Sequence, residues 1–265
     1  MLIDFTFRKY RELLLCLRKQ GYIFITYEQY CEKKSTLAQT DRWVILRHDV
    51  DKSPQQSLVM AELERELDIT STYYFRSVSQ SYDPKVISSI VALGHEIGYH
   101  YEDLSLAKGN LEKAFKHFQD ELANLRMYYP VRTICMHGNP MSKYNEHDLW
   151  KQYDYRALGI IGESYLDTDF ADVFYLTDTG RRWDGYKVSL RDRIPMYQED
   201  WVSRGLVYKS TDDIMKASAN SLPDHIMLTV HPQRWTDNRR QWVKEIMCQR
   251  VKNIFKRLIF KIKGH

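Results

Sequence analysis

The sequence predicts an α/β fold with parallel strands, and two observations support this prediction. Short apolar runs typical of buried strands alternate with segments in which apolar residues recur at helical spacing. The run WVIL at residues 43–46 is continuously apolar, as expected of a strand covered on both faces. Strands that alternate with helices pair in parallel, because the helix between two strands carries the chain back across a face of the sheet to the end where the first strand began. The pattern by itself allows either a barrel or an open doubly wound sheet.

The first hundred residues predict helices and strands in turn. A first helix ends at Gly21, a second begins near Pro54, and a third ends at Gly94, since glycine stops helices and proline starts them. The predicted order is a helix at 7–19, strands at 22–26 and 43–46, a helix at 54–67, a strand at 70–75, a helix at 84–93 and a strand at 96–100.

The remainder of the chain has fewer regular segments. It predicts a long amphipathic helix at 111–128, strands at 133–136, 173–177 and 226–230, and a basic helix from about residue 238. Periodicity is weakest over 137–172 and 178–225, where we expect long loops. Long loops in a compact domain are often functional.

The composition fits a single α/β domain. The chain has 265 residues, of which 43% are hydrophobic and 28% charged, so it can bury a sizeable core. We expect a domain over residues 1–238, with a helix at 6–20 packed on it, followed by a basic amphipathic helix over 239–265. The four scattered cysteines form no CxxC pair and predict free thiols. With no signal-peptide pattern and no apolar run of transmembrane length, we expect a cytoplasmic location.

The positive charge is concentrated at the C-terminus. Residues 239–265 contain nine lysines and arginines and one acid, a net charge of +8, whereas the rest of the chain carries −4. This distribution argues against a nucleic-acid-binding domain. Apolar residues recur through this basic segment at helical spacing: Val243, Met247, Val251, Ile254, Leu258 and Ile262. Either this stripe packs on the domain, or the helix makes peripheral contact with an anionic membrane, which would be the inner membrane face.

Polar residues gather where predicted strands end. Because the carboxyl ends of parallel strands share one rim, clusters more than a hundred residues apart are expected to meet there. The four clusters are RHDVD at 47–51, HYED at 100–103, HGNP at 137–140 and HPQRW at 231–235.

Asp49 and Asp51 are expected to point to the same side of a strand as Arg47, with His48 on the opposite side. Two close carboxylates suit a divalent cation, or one binds the cation while the other accepts a proton. The alternatives are a salt bridge with Arg47, or a helix cap at Asp51. A single histidine is more often structural than a ligand, but four polar clusters on one rim favour a site.

These motifs resemble those of the NodB-homology polysaccharide deacetylases, the fourth family of carbohydrate esterases. The resemblance is carried by RHDVD, GHEIGYHYEDL, HGNP and the late LTVH, and it covers residues 43–235. The run YLTDTGRRWDG at 175–185 is similar to segments of an uncharacterised subgroup. The resemblance implies a distorted (β/α) barrel with parallel strands. It also implies a metal-dependent hydrolase that removes N-acetyl groups, a non-peptide C–N bond cleavage, from a sugar or glycan precursor.

Carried over by position, the resemblance assigns Asp49 as the general base and His231 as the general acid. It assigns Asp51 and His100 as metal ligands and implies a divalent metal ion, zinc first, with cobalt, manganese or nickel as alternatives. The family has a second ligand histidine at the position of Leu104, and leucine cannot bind a metal.

A replacement ligand must therefore come from elsewhere in the chain. His137 is the first candidate, with Glu102 and Asp103 next. Further residues are expected to orient catalytic groups or to contact substrate: Arg47, Asp103, Asp178, Arg182, Trp183, Asp184 and Trp235. For Trp183 and Trp235, and for Tyr99 and Tyr101, the alternative to stacking on a sugar is packing within the protein.

Two other functions remain open from the sequence. A relative that lost its metal ligand at Leu104 would bind a saccharide or a protein partner without catalysis. A relative that kept the metal would hydrolyse another non-peptide C–N bond. The oligomeric state is not indicated by the sequence.

Overall fold

A computed structural model of the chain describes residues 3–34, 37, 42–139, 142–184, 193–217 and 221–262, with the side chains of the last helix described to Ile254. Pro140 and Gly185, which belong to two of the predicted motifs, lie outside the described residues. The strands are β1 (Ile23–Ile25), β2 (Trp43–Val50), β3 (Thr72–Phe75), β4 (Glu96–Tyr101), β5 (Thr133–Met136), β6 (Gly162–Glu163), β7 (Phe174–Thr177) and β8 (His225–Val230).

Nine α-helices lie before, between or after the strands within the described part of the chain. They are α1 (Phe7–Lys19), α2 (Tyr27–Lys33), α3 (Pro54–Glu66), α4 (Pro84–Ala92), α5 (Asp103–Leu106), α6 (Leu111–Arg126), α7 (Pro195–Ser203), α8 (Thr211–Lys216) and α9 (Arg239–Ile262). Short 3-10 helices occupy Glu146–Lys151, Tyr155–Leu158 and Pro232–Arg234. None of the helices in the described ranges is long and apolar enough to cross a membrane.

All eight strands of the described residues are parallel and belong to one sheet. The order is β6-β5-β4-β3-β2-β8-β7. Two strands share one edge of β2: β1 pairs with its first half and β3 with its second half. The sheet curls into a half-barrel with flanking helices, which confirms the predicted distorted (β/α) barrel with parallel strands. A parallel sheet of this kind places the carboxyl ends of neighbouring strands together.

The central strand β2 is longer than predicted. It extends to Val50 instead of ending at Leu46, and all eight of its residues are buried. Arg47, His48 and Asp49 are therefore part of the strand and do not follow it. The sheet accommodates these polar side chains because each has a partner: Arg47 pairs with Asp49, and His48 with Glu64 on the opposite face.

Helix α1 has the predicted bounds, and Thr6 caps it by accepting a hydrogen bond from the Lys9 backbone N–H. Gly21, at φ +90°, ends the segment in the left-handed region that suits glycine. The prediction missed α2, which begins with a capping box formed by Thr26 and Gln29. It also missed β6, whose two residues are too few to show a period.

The described residues form an apolar core of two clusters. One surrounds β1, β2, β7 and β8 and includes Tyr10, Leu14 and Trp183. The other surrounds β3, β4 and β5 and includes Phe118 and Leu104. Between them the clusters cover the sheet and leave its carboxyl edge to polar residues.

Candidate metal centre

The strand register brings the predicted clusters together. In the β2–β8 pair, Arg47 lies opposite Thr229 and His48 opposite Val230, so the next residues, Asp49 and His231, are neighbours. Across β4 and β5, His100 lies opposite Cys135, two residues before His137. Strand pairing thus gathers residues from four distant segments at one rim.

Asp51, His100 and His137 form a compact triangle of potential ligand atoms. The Asp51 Oδ1 atom lies 3.5 Å from His100 Nε2 and 3.1 Å from His137 Nδ1. The two ring nitrogens are 3.3 Å apart. Four-coordinate zinc, with bonds of about 2.0–2.1 Å, holds its nitrogen and oxygen ligands about 3.3–3.4 Å from one another. The spacing of the three atoms therefore fits a tetrahedral divalent cation.

The proton positions support the same interpretation. His100 Nδ1 lies 3.0 Å from the Cys135 carbonyl oxygen. Because a carbonyl only accepts hydrogen bonds, Nδ1 carries the proton, and in neutral imidazole Nε2 keeps its lone pair. That lone pair faces the Asp51 carboxylate, whose Oδ1 is buried and has no hydrogen-bond partner in the described part of the chain. A cation would satisfy these acceptors together.

Asp51 is held as a carboxylate. Burial raises its pKa, but His100 and His137, when protonated, lower it by more, so the pKa of Asp51 then lies well below its usual value. Two residues that the sequence prediction missed fix its position. Gln233 Nε2 donates to Asp51 Oδ2 at 2.9 Å, and Arg76 donates to the Asp51 backbone carbonyl at 2.9 Å. Both residues follow strand ends, which was the only signal for either of them.

Of the three candidates for the missing ligand, His137 lies in the triangle and the other two do not. Glu102 is held by Arg76 Nε at 2.7 Å, and its nearer oxygen is 3.9 Å from His137 Nε2. Asp103 is directed to the Tyr99 hydroxyl at 3.0 Å and to His117 at 2.5 Å. The expectation that Asp103 serves the site is wrong, because β4 has ended before it: Asp103 begins α5, and its buried carboxylate is held by Tyr99 and His117.

A second set of atoms near this triangle includes a cysteine. Asp49, His100 and Cys135 place ligand atoms within 4.8 Å of one another, as Asp51, His100 and His137 do. In this second set Asp49 is already bound by Arg47 at 2.9 Å, and the Cys135 thiol donates to the Met136 carbonyl at 3.5 Å. The ligand atoms of Asp51, His100 and His137 lie 3.1–3.5 Å from one another, which favours the set that contains Asp51 and His137.

Asp49 is bound on one side only. Arg47 Nη2 donates to Asp49 Oδ2 at 2.9 Å, and the same nitrogen donates to the Tyr165 hydroxyl at 3.3 Å. The other carboxylate oxygen, Oδ1, is buried without a hydrogen-bond partner among the described residues. Tyr165 was not predicted, because it lies in the segment with the weakest periodicity. The arrangement leaves Asp49 Oδ1 able to accept a proton.

His231 is oriented by Asp178. Its Nδ1–H donates to Asp178 Oδ1 at 2.7 Å, and its backbone N–H donates to Oδ2 at 2.9 Å. Arg234 and the Trp235 indole also donate to this carboxylate, at 2.8 and 2.7 Å. Burial and Arg234 lower the pKa of His231, but Asp178 raises it by more, so the pKa of His231 is above its usual value. Nε2 is thus the nitrogen positioned for proton transfer.

The aromatic residues proposed for sugar stacking do not line the rim. Trp183, Trp235, Tyr99 and Tyr101 are all fully buried. The Trp183 indole donates to Thr211 in the core, and the Trp235 indole holds Asp178. Stacking on a sugar is therefore wrong for these four residues, and the alternative of packing within the protein holds. Trp235 instead takes the other expected role, because it binds the carboxylate that orients His231.

Arg182 and Asp184 bind each other. Two hydrogen bonds, of 2.5 and 2.6 Å, join the guanidinium to the carboxylate. Of the two arginines expected to orient a catalytic group or to contact substrate, Arg47 is the one that pairs with Asp49.

Comparison with known proteins found matches among solved structures. No family model and no curated protein matches the chain. The deacetylase PplD of Streptococcus pyogenes, solved with acetate, is 16% identical with a TM-score of 0.42, covering 54% of this chain and 66% of PplD. A CE4 esterase of Streptococcus mutans is 13% identical with a TM-score of 0.45, covering 90% of both chains. The peptidoglycan deacetylase PdaC of Bacillus subtilis is 13% identical with a TM-score of 0.39, covering 82% of this chain and 98% of PdaC. The resemblance to the deacetylases of the fourth carbohydrate esterase family is carried by the motifs RHDVD, GHEIGYHYEDL, HGNP and LTVH.

Proposed function

We propose that this chain is a metal-dependent hydrolase that removes acetyl groups from the nitrogen of a sugar or glycan precursor. One juxtaposition supports the proposal. Asp51, His100 and His137 lie at ligand spacing on one rim. The same rim holds Asp49, whose Oδ1 has no hydrogen-bond partner among the described residues, and His231, which is bound by Asp178. Metal ligands, a base and an acid at one edge are what amide hydrolysis needs.

Asp51, His100 and His137 would hold the metal. Two imidazole nitrogens and one carboxylate oxygen suit zinc, and also cobalt, nickel or manganese. A divalent cation, when bound, polarises the acyl carbonyl group and stabilises negative charge on its oxygen. His137 takes the place of the ligand that is missing at Leu104.

Asp49 and His231 would move the protons. Asp49 Oδ1 accepts a proton from the water that adds to the acyl carbon. The bond between that carbon and the sugar nitrogen then breaks, and His231 Nε2 gives its proton to the leaving amine, so the products are acetate and an amino sugar. Asp178 holds the imidazole in place and favours its protonated form before this transfer. The choice of an acetylated saccharide rests on the sequence motifs.

The proposal is tested with Asp49→Asn on the full chain purified without a metal-affinity tag. We expect about one divalent ion per chain by mass spectrometry in both proteins, because Asp49 lies outside the ligand triangle. Acetate release from N-acetylhexosamine oligomers should fall by about 10²- to 10⁴-fold in the variant, as for loss of a general base. Asp120→Asn, a change at an exposed helical position, is the matched control.

Unchanged activity in Asp49→Asn would contradict the assigned base. Absence of any divalent metal after exposure to zinc, cobalt and manganese would contradict the hydrolase and favour a binding protein. If the metal-loaded chain released no acetate but hydrolysed small ureides, the substrate would be a ureide and not an acetylated sugar.

A further inference from the structure

The C-terminal helix α9 packs on the domain with a mixed face that contains half-buried Trp242 and Ile246 and the polar Gln249 and Asn253. Its buried Gln249 bonds to Asn253, whose side-chain N–H donates to the Gly180 carbonyl at 2.9 Å. One turn from the start of the helix, the Trp242 indole donates to the Asp4 carbonyl at 2.6 Å. Hydrogen bonds to loop carbonyls, together with these half-buried residues, therefore attach the described part of α9, and the Val243–Ile254 side takes no part in this contact.

The apolar stripe of α9 faces solvent. Val243, Met247, Val251 and Ile254 are 44%, 64%, 54% and 59% exposed. At 100° per residue these four positions fall within an arc of about 80° on the helix surface. The sequence left open whether this stripe packs on the domain, and the structure excludes that arrangement for these residues. A stripe of this kind on a surface helix marks an interaction site.

The charge around the stripe identifies its partner. Arg240 and Lys244 are exposed on the same side of the helix as Met247 and Val251. Residues 239–265 carry a net charge of +8, whereas the remainder of the chain carries −4. Basic residues beside an apolar face suit a surface that is anionic at its boundary and apolar beneath it, which describes an anionic bilayer. A second copy of this chain would bring two +8 segments together, which disfavours a dimer through this face.

We infer that α9 docks the protein on an anionic lipid surface, with the Val243–Met247–Val251–Ile254 stripe in the bilayer interface. The inference is independent of the proposed activity, because none of these residues belongs to the metal centre.

The test is flotation of the full chain with vesicles of phosphatidylglycerol, compared with vesicles of phosphatidylcholine. We expect binding to the anionic vesicles only, and weaker binding as salt rises from about 0.1 M to about 0.5 M. Met247→Ser with Val251→Ser should reduce binding at least tenfold, as should Arg240→Gln with Lys244→Gln. The matched control is Met127→Ser, which removes an apolar side chain of similar exposure from the body of the domain.

Several results would overturn the inference. These are no flotation with phosphatidylglycerol, equal flotation with phosphatidylcholine, or an equal loss of binding in Met127→Ser. Sedimentation velocity without lipid gives a further check. A stable dimer that Met247→Ser with Val251→Ser dissociates would show that the stripe is covered by a second copy. Activity on a soluble substrate is expected to be unchanged in these variants.

Discussion

Replacement of Asp178 by asparagine is expected to impair catalysis in a pH-dependent way. The Asp178 carboxylate accepts four hydrogen bonds, two of them from His231 and one each from Arg234 and Trp235. Asparagine keeps the shape of the side chain but removes the charge. It also turns one acceptor oxygen into an NH₂ group that faces donors.

The magnitude follows from the His231 bond. A hydrogen bond to a charged group contributes about 1.5–3 kcal/mol, so losing it disfavours the imidazolium by about 10- to 100-fold. The carboxylate raises the pKa of His231, and its removal lowers that pKa. Because the general acid must be protonated, the alkaline limb of the kcat/KM profile should move to lower pH in Asp178→Asn. The loss of rate should be largest above that limb.

The assay is the pH dependence of kcat/KM for acetate release, with circular dichroism to confirm the fold. The chain offers a matched control at the other end of β8, where His225 Nδ1 lies 2.8 Å from Asp172. Asp172→Asn removes a similar His–Asp pair far from the rim and should leave the profile unchanged. An unshifted profile in folded Asp178→Asn, or the same shift in both variants, would refute the reasoning.

Three further predictions concern the metal and the core. His137→Ala should weaken zinc binding at least tenfold in a chelator competition, and an unchanged affinity would remove His137 from the ligand set. Glu64→Ala should lower the free energy of unfolding by about 3–5 kcal/mol in urea, because it leaves buried donors and imidazoles without their carboxylate, whereas exposed Glu62→Ala should change it little. Burial opposes ionisation of Glu64, but His48 and other partners lower its pKa to about 2, below the usual 4.5. The stability that ionised Glu64 contributes should therefore be present above about pH 4.5 and be lost as the pH falls towards about 2, and urea unfolding at several pH values measures this loss. If Glu64→Ala lost as much stability over the same pH range, the loss would not come from Glu64.

Local sequence patterns predicted the bounds of some helices and strands correctly. The bounds of α1 and β5 agree with the prediction, since each has a clear period or apolar run between turn residues. The extent of β2 was not predictable in this way. Its second half contains three polar residues, which a strand tolerates only if distant partners such as Glu64 reach them.

The candidate site shows the same division. That polar residues end four strands is a property of the sequence, and parallel topology then requires them to share a rim. Trp183 and Trp235 are aromatic residues of the kind that stack on sugars, but both are packed in the interior. Gln233 and Arg76 carried no signal beyond their position, and only the folded chain brings them to Asp51.

By itself the sequence determined the alternation of elements, and with it the parallel sheet and the edge at which the polar clusters meet. These follow from the spacing of apolar residues along the chain, because that spacing indicates whether a segment is a helix or a strand. Only the tertiary structure decided which histidine completes the triangle around Asp51 and which side of α9 faces outward. Both depend on distances between segments remote in sequence, which no local period encodes, because side chains of the same type are directed by whatever packs against them.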